Sequence, residues 1–374
     1  MKVLHILYSG LGGHGNVFFS LTDADAGHEF QYEGLFYGIE DVREGYKKKA
    51  EDRAIPWFFV KKKPGLDFSS YRKIIGIIKR SSPDILFLHS SAYIFPAKLA
   101  ALFAAKKTRI IIRETQPNHL KTRAEWVGLT FSLLAANKII FLSKEYRDAI
   151  KKKFGILFPR KKTKVIPNGI NLDIFKPVPK PFSPIVKIGM QSRLSASKDH
   201  STLINAFELL LNKLQEEINI ELWIAGDGEC MPQLVDLTKE LSITDKVIFT
   251  GLLEETELPA FINSLNIYVH ATTGETMSTA IMQVMACRVP VIASDVLGVN
   301  NMVLNEVTGL LVPVKNAEKM ADAIYLLLKD AAIRNKISEK AYRFAVDNYS
   351  NKKMFNSYRE VFLNSRPPES QLPV

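Results

Sequence analysis

Pro177, Pro179, Pro181 and Pro184 fall close together in the run Phe175–Pro184. Proline lacks a backbone N–H and fixes φ, so neither a helix interior nor a central strand can pass through such a run. On both sides of it, strand-like and helix-like segments alternate. Before it, Lys2–Tyr8, Ile85–His89, Arg109–Arg113 and Lys138–Leu142 read as strands, and alanine-rich Ala97–Ala105 reads as a helix. After it, Ile185–Met190, Glu221–Ala225, Val247–Thr250, Ile267–His270 and Val289–Ala293 read as strands. Thr202–Leu214 places Leu203, Phe207, Leu210, Leu211 and Leu214 on one helical face, and the tail from Ala317 to Leu363 has helical character. This alternation predicts two α/β domains, each a doubly wound parallel sheet, facing a cleft. A chain of 374 residues suits two domains. Ligands of such sheets bind beyond the carboxyl ends of the strands, so chemistry is expected on the loops that follow strands.

Charge divides at the same place. Up to Lys176 there are 31 Lys and Arg against 16 Asp and Glu; beyond it there are 19 against 23, which reproduces the net +11. The excess is clustered at Lys47–Lys49, Lys61–Lys63, Lys106–Lys107, Lys151–Lys153 and Arg160–Lys162. An anionic membrane surface, a nucleic acid, or nothing beyond solvent fits such clusters. The lysine runs are not interleaved with clustered aromatics, which argues against single-stranded nucleic acid. Two cysteines, Cys230 and Cys287, make neither a disulfide framework nor a short-spaced metal motif, and are expected as buried, reduced cytosolic thiols. Met1–Leu7 is too short and interrupted for a signal-peptide core. The uncharged run Trp126–Asn137 is shorter than the ~20 residues a spanning helix needs.

Four constellations follow strands. The first is Gly10-Leu-Gly12-Gly13-His14-Gly15, which can bring backbone close to a sugar or phosphate, form a dinucleotide fingerprint, or simply turn the chain. The fingerprint reading needs an acid ~20 residues on, and Glu33 is the candidate. The second runs from Met190 to His200, with Arg193 and Lys198 as cations suited to a departing diphosphate and Asp199 as helix N-cap. The third, Gly226-Asp-Gly228, is a tight structural turn. The fourth runs from Thr272 to Ile292. Its helix begins near Ser278, so the amides of Met277, Ser278 and Thr279 favour an anion. Gln283 falls in the second turn, in reach of a ribose, and Glu275 lies in the loop to accept from sugar hydroxyls. Each also has a plain reading as surface charge, cap or core amide.

In order and register, these pieces resemble the retaining GT-B glycosyltransferases of the group-1, family-four type. Glu275–Ile292 is similar to that family's signature of a Glu, seven residues, a second Glu and A-M-A-C-G-x-P-V-I. Further matching pieces are Leu142–Tyr146, Val165–Ile170, Ile188–Phe207 and Thr308–Pro313, so the resemblance covers nearly the whole chain. It implies a GT-B fold of two Rossmann-like domains: an acceptor domain at 1–176, a nucleotide-sugar domain at 177–350, and a C-terminal helix at 351–374 crossing back to the first. Arg193, Lys198 and Glu275 then form the catalytic set. Gly13, Met277, Ser278, Thr279 and Gln283 contact the donor, and Gly12, His14, His89, Glu114 and Thr115 lie on the acceptor side. The resemblance implies a nucleotide-sugar substrate, UDP-linked before GDP-linked, with no cofactor and no metal. It implies a saccharide or lipid-linked acceptor at the inner membrane face, in cell-surface polysaccharide synthesis, and no nucleic acid.

Three positions depart from the family pattern. Gln283 stands for the second Glu, and Arg288 for the Gly after Ala-Cys. The family's histidine in the first domain has no counterpart in Ile112–Gln116, where Glu114 or Thr115 takes its place. Two other readings of the fold remain open at this point: a sugar-nucleotide epimerase, and an NAD-dependent oxidoreductase built on the Gly10–Gly15 loop.

Overall fold

A computed structural model of the chain describes residues 1–10, 13–65, 67–103, 107–215 and 218–364. Gly12, Lys106 and the end of the expected Ala97–Ala105 helix lie outside the described residues. The chain divides into two compact units, residues 1–169 with 351–374, and residues 170–350.

The first unit is built on β1 (Lys2–Leu7), β2 (Gln31–Gly38), β3 (Trp57–Lys61), β4 (Ile85–Leu88), β5 (Arg109–Glu114), β6 (Lys138–Phe141) and β7 (Thr163–Val165). All pair in parallel, in the order β3-β2-β1-β4-β5-β6-β7. The connecting helices are α1 (Gly13–Ala24), α2 (Glu44–Asp52), α3 (Phe68–Ser81), α4 (Ile94–Leu102), α5 (Arg123–Ala135) and α6 (Lys144–Phe154). Right-handed crossovers place α1 and α2 on one face and α3 to α6 on the other. The core divides accordingly: Val17 and Leu21 of α1 and Tyr46 and Ala50 of α2 pack on one side, Ile74, Ala97, Leu129 and Ile150 on the opposite side. The inner strands are almost fully buried, with apolar centres such as Ile110–Ile112 and Ile85–Leu88, as sheets covered on both faces require.

The second unit repeats the plan with β8 (Val186–Gln191), β9 (Ile220–Ala225), β10 (Val247–Gly251), β11 (Ile267–His270), β12 (Val291–Ser294) and β13 (Leu310–Val312), ordered β10-β9-β8-β11-β12-β13 and parallel. Its helices are α7 (His200–Leu214), α8 (Met231–Glu240), α9 (Leu258–Ser264), α10 (Thr279–Ala286), α11 (Ala317–Lys329) and α12 (Ala331–Asn348). The expected helix at Thr202 starts earlier, at His200. The helical tail is interrupted at Asp330, whose carboxylate caps α12 by accepting from Ile333 N–H at 2.9 Å.

The division falls after Gly169, ahead of the expected boundary at Lys176. The proline segment is strapped to the second unit. Ile170 N–H donates to the Tyr349 carbonyl at 2.8 Å. Val178 N–H donates to Asn263 Oδ1 at 3.0 Å, and the Asn263 amide donates to the Lys176 carbonyl at 3.1 Å. The Lys180 ammonium reaches the Leu265 carbonyl, and burial lowers its pKa to about 8. Proline thus breaks secondary structure here without releasing the chain. Of the two free thiols, Cys287 is buried, which raises its pKa to about 12, whereas Cys230 is only half-buried.

The chain returns to the first unit as α13 (Asn351–Asn364). Met354, Tyr358 and Phe362 join the core with Val3, Phe87 and Ile111. Phe362 is fully buried, edge-on to Phe30 at 5.2 Å, and its carbonyl accepts from Arg109 at 2.9 Å. Phe362→Ala should therefore destabilise the first unit by about 3–5 kcal/mol, measured as a lowered urea midpoint for that unit.

Candidate active site

β8 lies where the strand order of the second unit reverses, with β9 on one side and β11 on the other. Crossovers leave such a strand and its neighbour in opposite directions, and the loops after them part. Here they are Ser192–Asp199 after β8 and Ala271–Ser278 after β11. Backbone bonds stitch them together: the Ser197 carbonyl accepts from Thr273 N–H at 2.9 Å and from the Thr272 hydroxyl at 3.0 Å. The Gly226–Gly228 turn supports the first loop from beneath. A Cβ on Gly226 would stand 1.9 Å from the Ser192 carbonyl oxygen, and one on Gly228 2.4 Å from that of Leu194. Both glycines have positive φ, so the turn is structural, as its sequence suggests.

Lys198 and Glu275 meet across these loops in a direct ion pair, their side chains 19% and 16% exposed. His270, the last residue of β11, places Nε2 3.5 Å from the same carboxylate oxygen. The Tyr268 hydroxyl is 3.2 Å from His270 Nδ1 and 3.2 Å from the Gln191 carbonyl. Its one proton goes to that carbonyl, which can only accept. Burial alone would raise the Glu275 pKa, but Lys198 and His270 outweigh it and hold the carboxyl at about 2. Burial lowers His270, opposed by Glu275 and reinforced by Lys198. Beside them His200, hydrogen-bonded to the Ser192 hydroxyl at 3.0 Å, is pushed down to about 3 by burial, then by Lys198 and His270. At neutral pH the centre is a fixed carboxylate among neutral imidazoles and one ammonium.

Arg193 is placed differently. Its guanidinium is 43% exposed and lies 3.4 Å from an exposed Glu229 carboxylate, a contact that constrains it little. Asp199 occupies the N-cap position of α7 in left-handed conformation, but its side chain makes no cap hydrogen bond; its carbonyl accepts from Thr202 N–H instead. Asp199 thus holds the expected N-cap position. At α10, Ser278 is the cap, accepting from Ile281 N–H, so the helix begins near Ser278 as expected, at Thr279. Met277 and Ser278 are buried, and the first amides of the helix, Thr279 and Ala280, precede any intrahelical partner. Gln283 is buried, and its amide oxygen accepts from the Gln191 amide at 2.7 Å. Its oxygen is thus engaged within the unit, in a pair with the residue that ends β8.

Several of these residues escaped the sequence reading: Gln191, His270 and Gly298. The first two end β8 and β11, which is signal enough at a switch point. Gly298, between β12 and β13, has φ +93°, and a Cβ there would lie 2.4 Å from the Glu275 carbonyl oxygen. No local motif marks that close approach.

In the first unit the order reverses at β1 and β4. His14, in the first turn of α1, accepts from Tyr8 N–H at Nδ1 (3.4 Å) and lies 3.1 Å from the Thr115 hydroxyl at Nε2. The Thr115 hydroxyl donates to the His89 carbonyl at 3.2 Å. These bonds fix the direction of the chain: His14 carries its proton on Nε2 and gives it to Thr115. His89 Nε2 meets His5 Nδ1 at 3.0 Å beneath. Burial, then the Arg113 charge, lower His14 to about 3; burial, then His5, Arg113 and His14, hold His89 well below its ordinary value. Arg113 itself is buried and donates to Asn168, which gives the asparagine of Val165–Ile170 a structural role. Glu114 is buried too, but turns to the Lys121 ammonium at 3.1 Å and the Tyr146 hydroxyl at 3.3 Å, away from the His14 chain. His119 is exposed.

The glycines of the loop differ. A Cβ on Gly10 would strike Glu40 and Tyr8, and one on Gly15 the Tyr46 ring, whereas one on Gly13 meets nothing within 4 Å among the described residues. Glu33 lies near the amino end of β2, bonded to Lys2 at 3.1 Å and to the Ser81 hydroxyl. That is the wrong end of the strand for a ribose, so the dinucleotide fingerprint loses its acid. The acid that follows β2 is Glu40, which accepts from the Tyr8 hydroxyl at 2.7 Å.

Two switch-point sites on two parallel sheets define a two-unit, Rossmann-like α/β protein of the GT-B type. The model of "Glycosyl transferases group 1" matches residues 178–344, and that of "Glycosyltransferase Family 4" matches residues 11–174. The chain belongs to the group-1 glycosyltransferases. It is 32% identical over 144 residues to the alpha-D-kanosaminyltransferase of Streptomyces kanamyceticus, a match spanning 37% of each chain. It is 23% identical over 342 residues to the alpha-monoglucosyldiacylglycerol synthase of Streptococcus pneumoniae, covering 82% of this chain and 73% of the relative. The crystal structure of Anabaena HepE in complex with UDP and glucose superimposes with a TM-score of 0.83 at 19% identity, covering 98% of this chain and all of that one.

Two outcomes follow from this geometry. Gly298→Ala must displace the Glu275 backbone and should cost about 1–3 kcal/mol, seen as a lower melting temperature. Glu275 has a folded pKa below its ordinary value near 4.5. The stability it contributes is thus full above that value and lost as pH falls toward about 2. Urea midpoints measured down that range should converge for the wild type and Glu275→Gln, and differ most at neutral pH, where the variant leaves Lys198 without its partner.

Proposed function

We propose that the chain is a retaining, metal-independent hexosyltransferase that uses a nucleotide-diphosphate sugar. The observation that carries this reading is the Lys198–Glu275 pair at the carboxyl edge of β8 and β11, directly before the N-terminus of α10. The donor diphosphate lies against Lys198, Arg193 and the first amides of α10, where cationic groups and orphan N–H groups favour an anion. Glu275, held as a carboxylate, accepts from hydroxyls of the donor sugar. Gly13, with open space where a side chain would be, gives backbone access in the first unit.

As the bond between the anomeric carbon and the diphosphate oxygen breaks, its electron pair goes to the leaving phosphate. Arg193 and Lys198 stabilise that charge. The acceptor hydroxyl attacks from the face the diphosphate leaves and passes its proton to a phosphate oxygen, giving retention without a dedicated protein base. The neutral His14, aligned by Thr115, and His89 beneath it serve the acceptor side; Glu114 is occupied by Lys121 and supports the fold there. Gln283 binds the donor ribose through whatever amide hydrogen its bond to Gln191 leaves, in place of a second carboxylate.

UDP is the favoured base and GDP the next. UDP and glucose accompany the HepE structure, a likeness of fold that supports this choice. The acceptor is a saccharide or lipid-linked saccharide at the cytoplasmic face of the membrane, in cell-surface polysaccharide synthesis. The positive excess of the first unit and the S. pneumoniae relative, named for a glucosylated diacylglycerol, support it. No further cofactor takes part.

A thermal-shift series with UDP- and GDP-sugars tests the donor. At a hundred times Kd the expected stabilisation is about 2.7 kcal/mol, greatest for a UDP-sugar. Arg193→Ala should lower kcat by about 10²–10³ while the fold melts normally; full turnover with unchanged donor affinity would exclude the assignment.

A further inference from the structure

Two helices of the first unit are apolar on their outer as well as their inner side. Ala97 and Ala100 of α4 and Leu129 and Leu133 of α5 face the core. Outward stand Leu102 (69% exposed) with Phe103 (60%) from α4 and its end, and Val127 (58%) with Leu134 (66%) from α5. The rings of Phe95 and Phe131 stack 5.0 Å apart and join the two rows into one surface. It continues beyond α5. Lys162 donates to the Leu134 carbonyl at 2.8 Å, and Trp126 lies 6.4 Å from Phe154 at the end of α6. There the chain turns outward with Ile156 99% and Leu157 72% exposed. Contiguous apolar surface of this kind marks an interaction site.

Its charge says what covers it. Across Ser91–Phe103, Thr122–Ala135 and Ile150–Lys162 the sole carboxylate is Glu125, which is engaged in the capping box of α5. Lys151–Lys153 precede the Ile156-Leu157 turn, and Arg160–Lys162 follow it. These last three line a groove of about 450 Å³ together with Ile156 and Phe158. At the other end the Lys79 ammonium sits 5.2 Å from the Phe103 ring. Apolar side chains at the centre with lysine and arginine around them match the acyl and phosphate layers of a bilayer. Among the described residues no helix is long and apolar enough to cross a membrane, so the face would lie on the bilayer.

We infer that this face of α4, α5 and the Ile156-Leu157 turn seats the protein on an anionic lipid bilayer. Ile156, Leu157, Leu102 and Phe103 enter the acyl boundary, and Lys151–Lys153 and Arg160–Lys162 meet lipid phosphates. The inference rests on the membrane reading proposed above and gives that reading a surface and an apolar component, which charge alone would not supply.

The test is co-sedimentation of the full chain with phosphatidylglycerol-containing and pure phosphatidylcholine vesicles. The wild type should bind the anionic vesicles, and part of that binding should survive about 0.5 M salt, where Coulombic attraction is screened. The double variants Ile156→Ser with Leu157→Ser, and Leu102→Ser with Phe103→Ser, should each lose at least about tenfold in partitioning, including the salt-resistant part. Both pairs are exposed, so melting temperatures should stay unchanged. Serine at Lys47, Lys48 and Lys49 on α2, on the opposite face of the sheet, should leave binding intact. If the wild type binds while both double variants bind equally well, the membrane reading stands and this face is wrong. If the wild type binds no anionic vesicle, both fall. If the variants instead change the sedimentation mass of the lipid-free protein, the surface joins copies of the chain, and the inference is overturned.

Discussion

The second unit's site depends on closing a gap that its own topology opens. Parallel strands joined by right-handed crossovers must send their loops apart wherever the strand order reverses. At β8 and β11 the parting loops are drawn back together by the Ser197 carbonyl, which takes bonds from Thr272 and Thr273, and by the Lys198–Glu275 pair. The backbone bonds set the distance between the loops, and the ion pair sets which groups face each other. The neighbouring glycines make this possible: Gly226 and Gly228 under one loop, Gly298 against the other. Each stands where a Cβ would meet a carbonyl oxygen, so the loops rest on backbone.

The same constraint yields different chemistry in the first unit. At β1 and β4 no ion pair spans the switch point among the described residues; a directed chain of neutral groups does, from Tyr8 N–H through His14 and Thr115 to the His89 carbonyl. The cation nearest this chain, Arg113, is buried and bound to Asn168. A site with a fixed carboxylate and cations suits a charged ligand. A site of neutral hydrogen-bonding groups beside an unobstructed Gly13 suits hydroxyls. One plan, used twice, thus carries one charged edge and one neutral edge.

Most of the architecture was legible in the sequence because it is written in period and punctuation. The apolar strand runs, the Thr202–Leu214 stripe and the cluster of prolines each act locally, and each produced the expected element or break. The strand-following loops were legible for the same reason, and so was the placing of Lys198 and Glu275 on them. What local signals do not carry is partnership over distance. Nothing near Gly298 in the chain announces Glu275, and nothing near Gln283 announces Gln191. The proline segment reads as a linker because proline's effect on secondary structure is local, while its anchoring to Asn263 and Leu265 is tertiary. The misplaced acid Glu33 belongs to the same category: a count of residues from the glycines does not say at which end of a strand the acid will stand.

Gln283 shows how such a partnership changes the meaning of a substitution. Taken alone, an amide in place of a carboxylate removes a charge from the start of α10. In the fold, the amide oxygen at this position accepts from Gln191, whose own chain ends β8 and leads straight into the Arg193 loop. A carboxylate oxygen would accept the same bond at the same place, so the pairing tolerates either residue. The charge, however, would be buried a few residues along α10 from amides that favour an anionic ligand. A second fixed carboxylate there would oppose the very charge those amides and Lys198 attract. With Gln283 neutral, Glu275 carries the negative charge of the two signature positions, and Lys198 answers it directly.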